Sequence, residues 1–236
     1  MLKRITKTVI VLAMLVVTPT WGQVHKANQS KGSTKSQMVK KDSRWEFKGD
    51  FYEGLARVRT PERKWGYVNK AGKIVIPVQF SFAGDFHEGM ALIQQGGYDI
   101  GYIDKTGKVV IPCQWRDAWD FTNGMAQVMD KNNRWGVIDK TGNFLISPQF
   151  RAIDRFYEGL ARVCNFSGRW GYIDKTGKLV IPYQWDNARN FIKGKSAVQE
   201  YKEDRKGKWA LIDKTGKLLT PYQYSKVGIF NLGQWE

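Results

Sequence analysis

Apolar and polar residues alternate along most of this chain in the short runs that are typical of β-strands. GLARV at Gly54 and GMAQV at Gly124 each place a small residue two positions before a β-branched one, so that one face of the strand is closely packed. The two apolar runs WGYID at Trp170 and KLVIP at Lys178 are separated by Lys-Thr-Gly, which favours a tight turn. The pattern therefore predicts a three-stranded β-meander followed by a loop.

This meander occurs five times, with a period of about 35 residues. The equivalent turn residues are Asn69, Asp104, Asp139, Asp174 and, after a loop that is four residues longer, Asp213. A fixed period of this length indicates supersecondary units that bury their apolar faces against one another. The sequence therefore predicts an all-β fold built as a tandem array of five β-meander repeats.

Each loop carries an aromatic residue after Gln and a phenylalanine six positions later, as in Trp115 and Phe121. Trp45 and Phe51 fit the same register before the first repeat, so the chain begins and ends on the same kind of segment. The two ends of a ring closed by exchanged strands should complement one another, whereas these ends duplicate each other. We therefore favour an open, β-solenoid-like array over the alternative of a closed, propeller-like ring.

The first 43 residues predict two segments outside the array. Lys3, Arg4 and Lys7 precede the apolar residues 9–17, and small residues follow, as in a cleaved signal peptide over residues 1–22. A retained anchor is the alternative, although the apolar run is too short to span a bilayer comfortably. Residues 23–43 are predicted to form a flexible basic tether, and residues 44–236 hold five repeats and a terminal half-repeat. We expect an exported protein that is periplasmic, outer-surface or secreted, without a membrane span after cleavage.

The predicted domain stays basic after the first 43 residues are set aside. The whole chain has a net charge of +16, and residues 44–236 contain 30 Lys and Arg against 21 Asp and Glu, a net charge of +9. Positive charge favours anionic partners, although it also serves as a solubilising surface. A protein or an anionic envelope polymer or glycan is the expected partner, and intracellular nucleic acid is not.

The acidic residues of the repeats do not predict a catalytic site. DKTG resembles the phosphorylated-aspartate motif of P-type ATPases, but it occurs four times without the final Thr and suits a hairpin turn. Glu53, Glu88 and Glu158 share a repeat position that Asn123 and Lys193 occupy elsewhere, which indicates exposed loop residues. General acid and base catalysis needs carboxylates held at one cleft, so we expect no enzyme activity.

Histidine and cysteine also give no clear site. His87 is the only histidine of the predicted domain, so an imidazole-based zinc site has no second ligand, and we expect neither a metal nor a cofactor. Cys113 and Cys164 occupy different repeat positions. They are either a disulfide pair in an oxidising compartment or two small buried residues.

The units resemble the WG repeat, also called the KWG repeat, a bacterial tandem repeat with the core KWGYIDKTGKxVIPxQ and a final aromatic. The resemblance covers about residues 45–235. It implies a β-rich repeat protein, found among exported and other bacterial proteins, that is not tied to one catalytic activity. The departures are Ile100 in place of Trp, Ala210 in place of Gly, and a proline shifted by one position at Pro148.

The aromatic residues are the best binding candidates in the sequence. Because Ile100 replaces the hairpin Trp in one repeat, we interpret the hairpin Trp residues as core. The loop aromatics could instead stack on sugars, although aromatics between repeats also pack against neighbouring units. The predicted binding residues are Phe80, Trp115, Trp119, Phe150, Trp185 and Tyr224.

Three hypotheses of function follow. The first is a non-catalytic, exported binding or scaffold module at the bacterial cell envelope. The second is a glycan-binding module that uses the loop aromatics. The third is an enzyme whose site lies in the long loop of the fifth repeat, which contains Glu200, Glu203 and Asp204.

Overall fold

A computed structural model describes residues 44–201 and 207–225, and all regular elements in these ranges are β-strands. The predicted signal peptide, residues 1–22, and the predicted tether, residues 23–43, lie outside the described residues. So do residues 202–206 of the long fifth loop and residues 226–236 of the half-repeat.

The strands form five antiparallel sheets, which we number 1 to 5 in chain order. Sheet 1 contains β1 (Phe47–Tyr52), β2 (Leu55–Arg59), β3 (Trp65–Asn69) and β4 (Ile74–Phe80). Sheet 2 contains β5 (Phe82–Ala83), β6 (Met90–Gln94), β7 (Ile100–Asp104) and β8 (Val109–Trp115). Sheet 3 contains β9 (Asp117–Ala118), β10 (Met125–Met129), β11 (Trp135–Asp139) and β12 (Phe144–Phe150). Sheet 4 contains β13 (Ala152–Ile153), β14 (Leu160–Cys164), β15 (Trp170–Asp174) and β16 (Leu179–Trp185), and sheet 5 contains β17 (Asn187–Ala188), β18 (Lys195–Glu200) and β19 (Lys208–Asp213).

The predicted three-stranded meander is confirmed, and each of sheets 1 to 4 has a fourth strand. In sheets 2 to 5 the first strand is a two-residue segment from the predicted loop, such as Phe82–Ala83 pairing with Gln94 and Ile93. The outer strand of each of sheets 1 to 4 does not end at its proline, although the sequence pattern suggests a stop there. β8 continues through Pro112 to Trp115, because this strand is the outer one of its sheet and an edge strand tolerates a residue without an N–H group.

The glycine of the WG dipeptide allows the outer strand to approach closely. A Cβ on Gly101 would lie 2.5 Å from the carbonyl oxygen of Ile111, and those on Gly66, Gly136 and Gly171 would lie 2.6 to 2.7 Å from the equivalent oxygens. Real Cβ atoms do not make such contacts with backbone. Only glycine therefore fits at this position while a regular outer strand is paired.

Sheet 5 has Ala210 at the WG glycine position and has three strands among the described residues. The segment that follows β19 pairs with it at isolated points, through Leu219 N to Leu211 O at 2.8 Å and Trp209 N to Tyr224 O at 2.9 Å. The hydroxyl of Thr220 accepts a third bond from Leu211 N at 3.0 Å. The methyl group of Ala210 occupies the space of a close outer strand, which accounts for this irregular pairing.

The core lies between consecutive sheets. Tyr67, Ile76 and Phe80 of sheet 1 pack against Phe86 and Ile93 of sheet 2, and all five are at most 1% exposed. Equivalent clusters join sheets 2 and 3, 3 and 4, and 4 and 5. Each unit therefore buries its apolar face against the next unit, as the repeat period predicts.

The hairpin glycines lie close to the sheet that precedes them in the chain. A Cβ on Gly107 would lie 2.9 Å from Ile76 of the preceding sheet, and Gly142, Gly177 and Gly216 make the equivalent approach at 2.9 to 3.4 Å. A Cβ on Gly72, in the first hairpin, would meet no described atom within 4 Å. Among the described residues, the first hairpin thus lacks the contact that a closed ring would supply, which agrees with the favoured open array.

Candidate functional site

Four of the six predicted binding aromatics are buried. Phe80, Trp115, Phe150 and Trp185 are 1%, 6%, 4% and 4% exposed, because each ends an outer strand and turns into the core between two sheets. Buried rings of this kind do not provide the open faces that the sugar-stacking alternative needs. Their burial fits the alternative that aromatics pack between repeats.

The other two predicted aromatics, Trp119 and Tyr224, are half-buried. Trp119 makes an edge contact with Trp135 at 5.9 Å, and the guanidinium of Arg155 lies 5.7 Å from its ring centroid. Tyr224 packs against the small cluster formed by Ala197, Trp209 and Leu211. The structure therefore scatters the six candidates through the core and does not bring them together on one open face.

The hairpin Trp residues divide between core and surface. Trp135 and Trp209 are buried, whereas Trp65 and Trp170 are half-buried. Arg57 and Arg59 lie over the Trp65 ring at 5.4 and 5.3 Å, and Arg162 lies over Trp170 at 5.0 Å. The core interpretation is confirmed for the first two residues, while the second two combine packing with cation–π contacts.

The surface that the sequence reasoning missed lies at the start of the outer strands. Each unit exposes apolar residues just after the lysine-containing turn. They are Ile74 and Val75, Val109, Phe144 and Leu145, Leu179 and Val180, and Leu218 and Leu219, all 39% to 50% exposed. Because three apolar residues in a row predict a strand covered on both faces, this exposure could not be read from the run itself. We call these residues the outer-strand apolar pairs.

The turn before each apolar pair is held by its own aspartate. Asp104 Oδ1 accepts hydrogen bonds from Thr106 Oγ1 at 2.6 Å, Thr106 N at 2.9 Å and Lys108 N at 3.1 Å. The Thr106 hydroxyl is the largest cause that lowers the pKa of Asp104. The aspartates of the next three hairpins make the same bonds, so the turn interpretation of DKTG is confirmed.

Acidic and basic side chains meet between the first sheets. Arg57 Nε lies 3.1 Å from Asp85 Oδ1, and His87 Nε2 lies 3.6 Å from Asp120 Oδ2. Burial raises the pKa of Asp85 and of Asp120, and the nearby cationic groups offset this only in part. These carboxylates are therefore costly in their ionised form and are not simply solvated surface acids.

Replacing Asp120 with Asn should raise the free energy of unfolding at pH 7 by about 1 kcal/mol or less. The pKa of the folded-state carboxyl lies above its ordinary 3.8, so the wild type loses stability as pH rises from about 3.8 through the raised value. The Asn variant lacks that loss. The difference in the free energy of unfolding between the variant and the wild type should therefore grow from pH 4 to pH 7 in urea titrations. Asp99→Asn is the control. An Asp120→Asn variant that is less stable than the wild type at pH 7 would show that the contacts of the carboxylate to His87, Arg155 and Arg57 dominate.

Tyrosine hydroxyls bridge neighbouring units. Tyr67, Tyr102 and Tyr172 donate to carbonyl oxygens of the following sheet, at 2.7, 2.8 and 2.8 Å. Burial strongly raises the pKa of each of these phenols. Each tyrosine therefore remains a donor that satisfies a carbonyl of the next unit.

A glutamate also bridges neighbouring units, and we call this arrangement the Glu clasp. Glu88 accepts hydrogen bonds from the backbone N–H groups of Asn123 and of Gly124, the latter at 2.8 Å, and its carboxylate lies 3.3 Å from Lys140 Nζ. The bond from Gly124 is the largest cause that lowers the pKa of Glu88. The clasp joins the turn of sheet 2 to the turn and the hairpin of sheet 3.

The Glu clasp recurs at two other junctions. Glu53 accepts from Gly89 N at 3.0 Å and lies 3.7 Å from Lys105 Nζ. Glu158 accepts from Gly194 N at 2.9 Å and lies 3.0 Å from Lys214 Nζ. The prediction that these glutamates are exposed loop residues is correct for their exposure but missed their contacts, which span about 36 residues.

The cysteines and possible metal ligands show no assembled centre in the described ranges. Cys113 and Cys164 are free, and burial raises the pKa of both thiols. Within residues 44–201 and 207–225, no group of three or more His, Cys, Asp or Glu side chains is placed to hold a metal ion. In the same ranges, no helix is long and apolar enough to cross a membrane.

Stacked sheets of three or four strands, WG glycines and hairpin turns that repeat about every 35 residues define an all-β tandem repeat protein. The chain belongs to the WG containing repeat family, whose model matches residues 65–98, 100–135, 135–165, 170–202 and 204–233. The resemblance noted from the sequence is thus confirmed. The family unit begins at the third strand of one sheet and runs into the next sheet, so each sequence repeat contributes to two sheets.

Solved structures give fold comparisons only. The computationally designed Ika8 protein is 11% identical over 72% of this chain and 59% of that chain, with a TM-score of 0.42. BamB from Moraxella catarrhalis is 10% identical over 74% of this chain and 62% of that chain, with a TM-score of 0.41. The WD40 β-propeller domain of Doa1 is 12% identical over 73% of this chain and 65% of that chain, with a TM-score of 0.34. The chain spans about three fifths of the length of these structures, and no curated protein matches it.

Proposed function

We propose that this protein is an exported, non-catalytic binding or scaffold module that acts at the bacterial cell envelope. The observation that supports it best is the repetition of one exposed surface, an outer-strand apolar pair beside a lysine-containing turn, in unit after unit. A partner that touches several units gains affinity from several weak contacts. The expectation of export rests on the pattern of residues 1–22.

The contacts of the acidic residues support the proposal that the protein is a non-catalytic module. The hairpin aspartates accept bonds from their own turns, and Glu53, Glu88 and Glu158 hold neighbouring units together. These groups are engaged in the fold and are not gathered at one cleft. The enzyme hypothesis is tested by deleting residues 201–206, which form part of the long fifth loop. Any catalytic activity located in that loop should be lost in the deletion variant.

The glycan-binding alternative is less well supported by the geometry. Sugar stacking needs an open ring face, and four of the six candidate rings are at most 6% exposed. Trp119 is also covered by Arg155 on one side. Protein partners and anionic polymers are favoured over neutral glycans for this reason.

The first experiment is co-sedimentation of residues 23–236 with peptidoglycan and with lipopolysaccharide, at low and high salt, together with cross-linking to an envelope protein fraction. The double variant Leu179→Ser and Val180→Ser should weaken binding to the partner by more than about fivefold, because it removes one outer-strand apolar pair. Phe166→Ser is the matched control, since Phe166 is 60% exposed and lies outside these pairs.

Loss of binding in high salt would assign the contact to the turn lysines, because exposed charges are screened. Unchanged binding of the double variant to every partner would contradict a role for the outer-strand apolar pairs. Absence of any envelope polymer or protein partner would contradict the proposed function as a whole.

A further inference from the structure

The junction between sheets 3 and 4 keeps the donors of the Glu clasp but lacks its carboxylate. Asn123 stands at the turn position that Glu53, Glu88 and Glu158 hold at the other junctions. All of these residues have positive φ, from 50° to 54°, so the turn geometry is the same. The difference between the junctions is therefore the side chain and not the backbone.

Three donors at this junction have no acceptor within the described part of the chain. Glu158 N and Gly159 N are equivalent to the Asn123 and Gly124 groups that bind Glu88, and Lys175 Nζ is equivalent to Lys140 Nζ. No hydrogen bond from these two amides and no ion pair of Lys175 is present among residues 44–201 and 207–225. The turn amides that hold a carboxylate at the other junctions are thus present here, and Lys175 occupies the clasp position of the hairpin, but the chain itself supplies no carboxylate.

A second substitution marks the same junction. Val137 replaces the bridging tyrosine, and Gln127 Nε2 instead reaches Asp154 O with a long contact of 3.4 Å. A small recess lies at this place. Its lining residues are Thr122, Asn123, Met125, Gln127, Arg155 and Phe156. The buried Nε of Arg155 has no hydrogen-bond partner, which places a further cationic donor at the recess.

We propose that the junction between sheets 3 and 4 binds the carboxylate of a glutamate side chain from an acidic segment of a partner protein. The partner's carboxylate takes the place of the missing clasp, with bonds from Glu158 N, Gly159 N and Lys175 Nζ. Charge-assisted hydrogen bonds of this kind are the stronger class of polar contact. The assignment rests on the proposed binding function and names the chemistry of its partner.

A protein glutamate fits this site better than an acidic sugar. The three other junctions hold a carboxylate at the end of a flexible side chain that comes from a turn. Trp119, whose ring lies under the guanidinium of Arg155, is half-buried, so it offers no platform for a sugar face. A carboxylate on a narrow stem is therefore the chemistry that the site matches.

Amide NMR of residues 23–236 tests this proposal directly. The probe is an acetylated and amidated Gly-Gly-Glu-Gly-Gly peptide, and the same peptide with Gln is its control. The Glu peptide should shift the amide signals of Glu158 and Gly159 in a saturable and salt-sensitive way. The Gln peptide should leave them unchanged, because the bonds depend on the negative charge.

Two exchange variants sharpen the test. Asn123→Glu supplies the clasp from within the chain, so the Gly159 response to the peptide should disappear. Glu88→Asn removes the clasp at the preceding junction, so the Gly124 amide should gain a response that the wild type lacks. Lys175→Ala should weaken binding about tenfold, whereas Lys178→Ala, in the same hairpin but outside the clasp position, should leave it unchanged.

Failure of Gly159 to respond, or an undiminished response in Asn123→Glu, would overturn the proposal. Tighter binding of an oligogalacturonide than of the Glu peptide would overturn the assignment to a protein segment. If Glu88→Asn does not fold, the result for Asn123→Glu is sufficient by itself, because Asn123→Glu adds a contact and does not remove one. Binding to an envelope component without any shift of the Gly159 amide signal would reject this site but would not contradict the proposed function.

Discussion

Gly101→Ala should lower the free energy of unfolding by about 3 kcal/mol or more. The added Cβ would lie 2.5 Å from Ile111 O, 2.7 Å from Cys113 N and 2.8 Å from the Pro112 carbonyl carbon, so β8 has to move away from β7. Loss of that strand would also disturb Ile111 and Trp115, which pack against sheet 3. Urea unfolding followed by tryptophan fluorescence measures the change.

Gly97→Ala is the matched control for this substitution. A Cβ on Gly97 would meet nothing within 4 Å, and its backbone does not require positive φ. Its effect should lie within about 0.5 kcal/mol of zero. Equal stabilities for the two variants would mean that the outer strand shifts without cost, and the explanation of Ala210 and the irregular sheet 5 would fail with it.

Trp185→Ala should lower the free energy of unfolding by about 3 to 5 kcal/mol. The ring is 4% exposed, makes an edge contact with Tyr172 at 6.2 Å, and donates from Nε1 to the Tyr222 hydroxyl at 2.9 Å. Its removal leaves a large cavity between sheets 4 and 5 and an unpaired hydroxyl. Thermal and urea unfolding measure the loss.

Phe166→Ala is the control for the loss of an aromatic ring, because Phe166 is 60% exposed and should change stability by less than about 0.5 kcal/mol. Trp185→Phe should fall between the two variants, since it keeps most of the apolar volume. A Trp185→Ala protein with full stability and no binding to peptidoglycan would contradict the core role and restore the glycan-binding hypothesis.

The sequence predicted the repeat fold well because each signal was local. The small residue before Val128 or Val163, the turn at Asp104 and the glycine after Trp170 each act within one strand or hairpin. The five copies then confirm one another. The tandem array and the turn role of DKTG could therefore be derived before any contact was known.

The candidate site could be predicted only in part because its contacts are not local. The ring of Trp115 looks the same in sequence whether it faces solvent or the next sheet, and only stacking decides between the two. The same holds for Val75 and Leu145, which are exposed although they belong to apolar runs. Glu88 and its partners lie about 36 and 52 residues apart, so their pairing depends on how adjacent units are aligned.

The missing clasp at Asn123 has an energetic consequence for the array as a whole. Stability in stacked repeats is approximately a sum of unit terms and nearest-neighbour terms. The junction between sheets 3 and 4 lacks both the tyrosine bridge and the Glu clasp, so it should be the boundary between a block of three units and a block of two. An acidic partner seated there would restore the nearest-neighbour term, and the two blocks would then unfold as one cooperative unit.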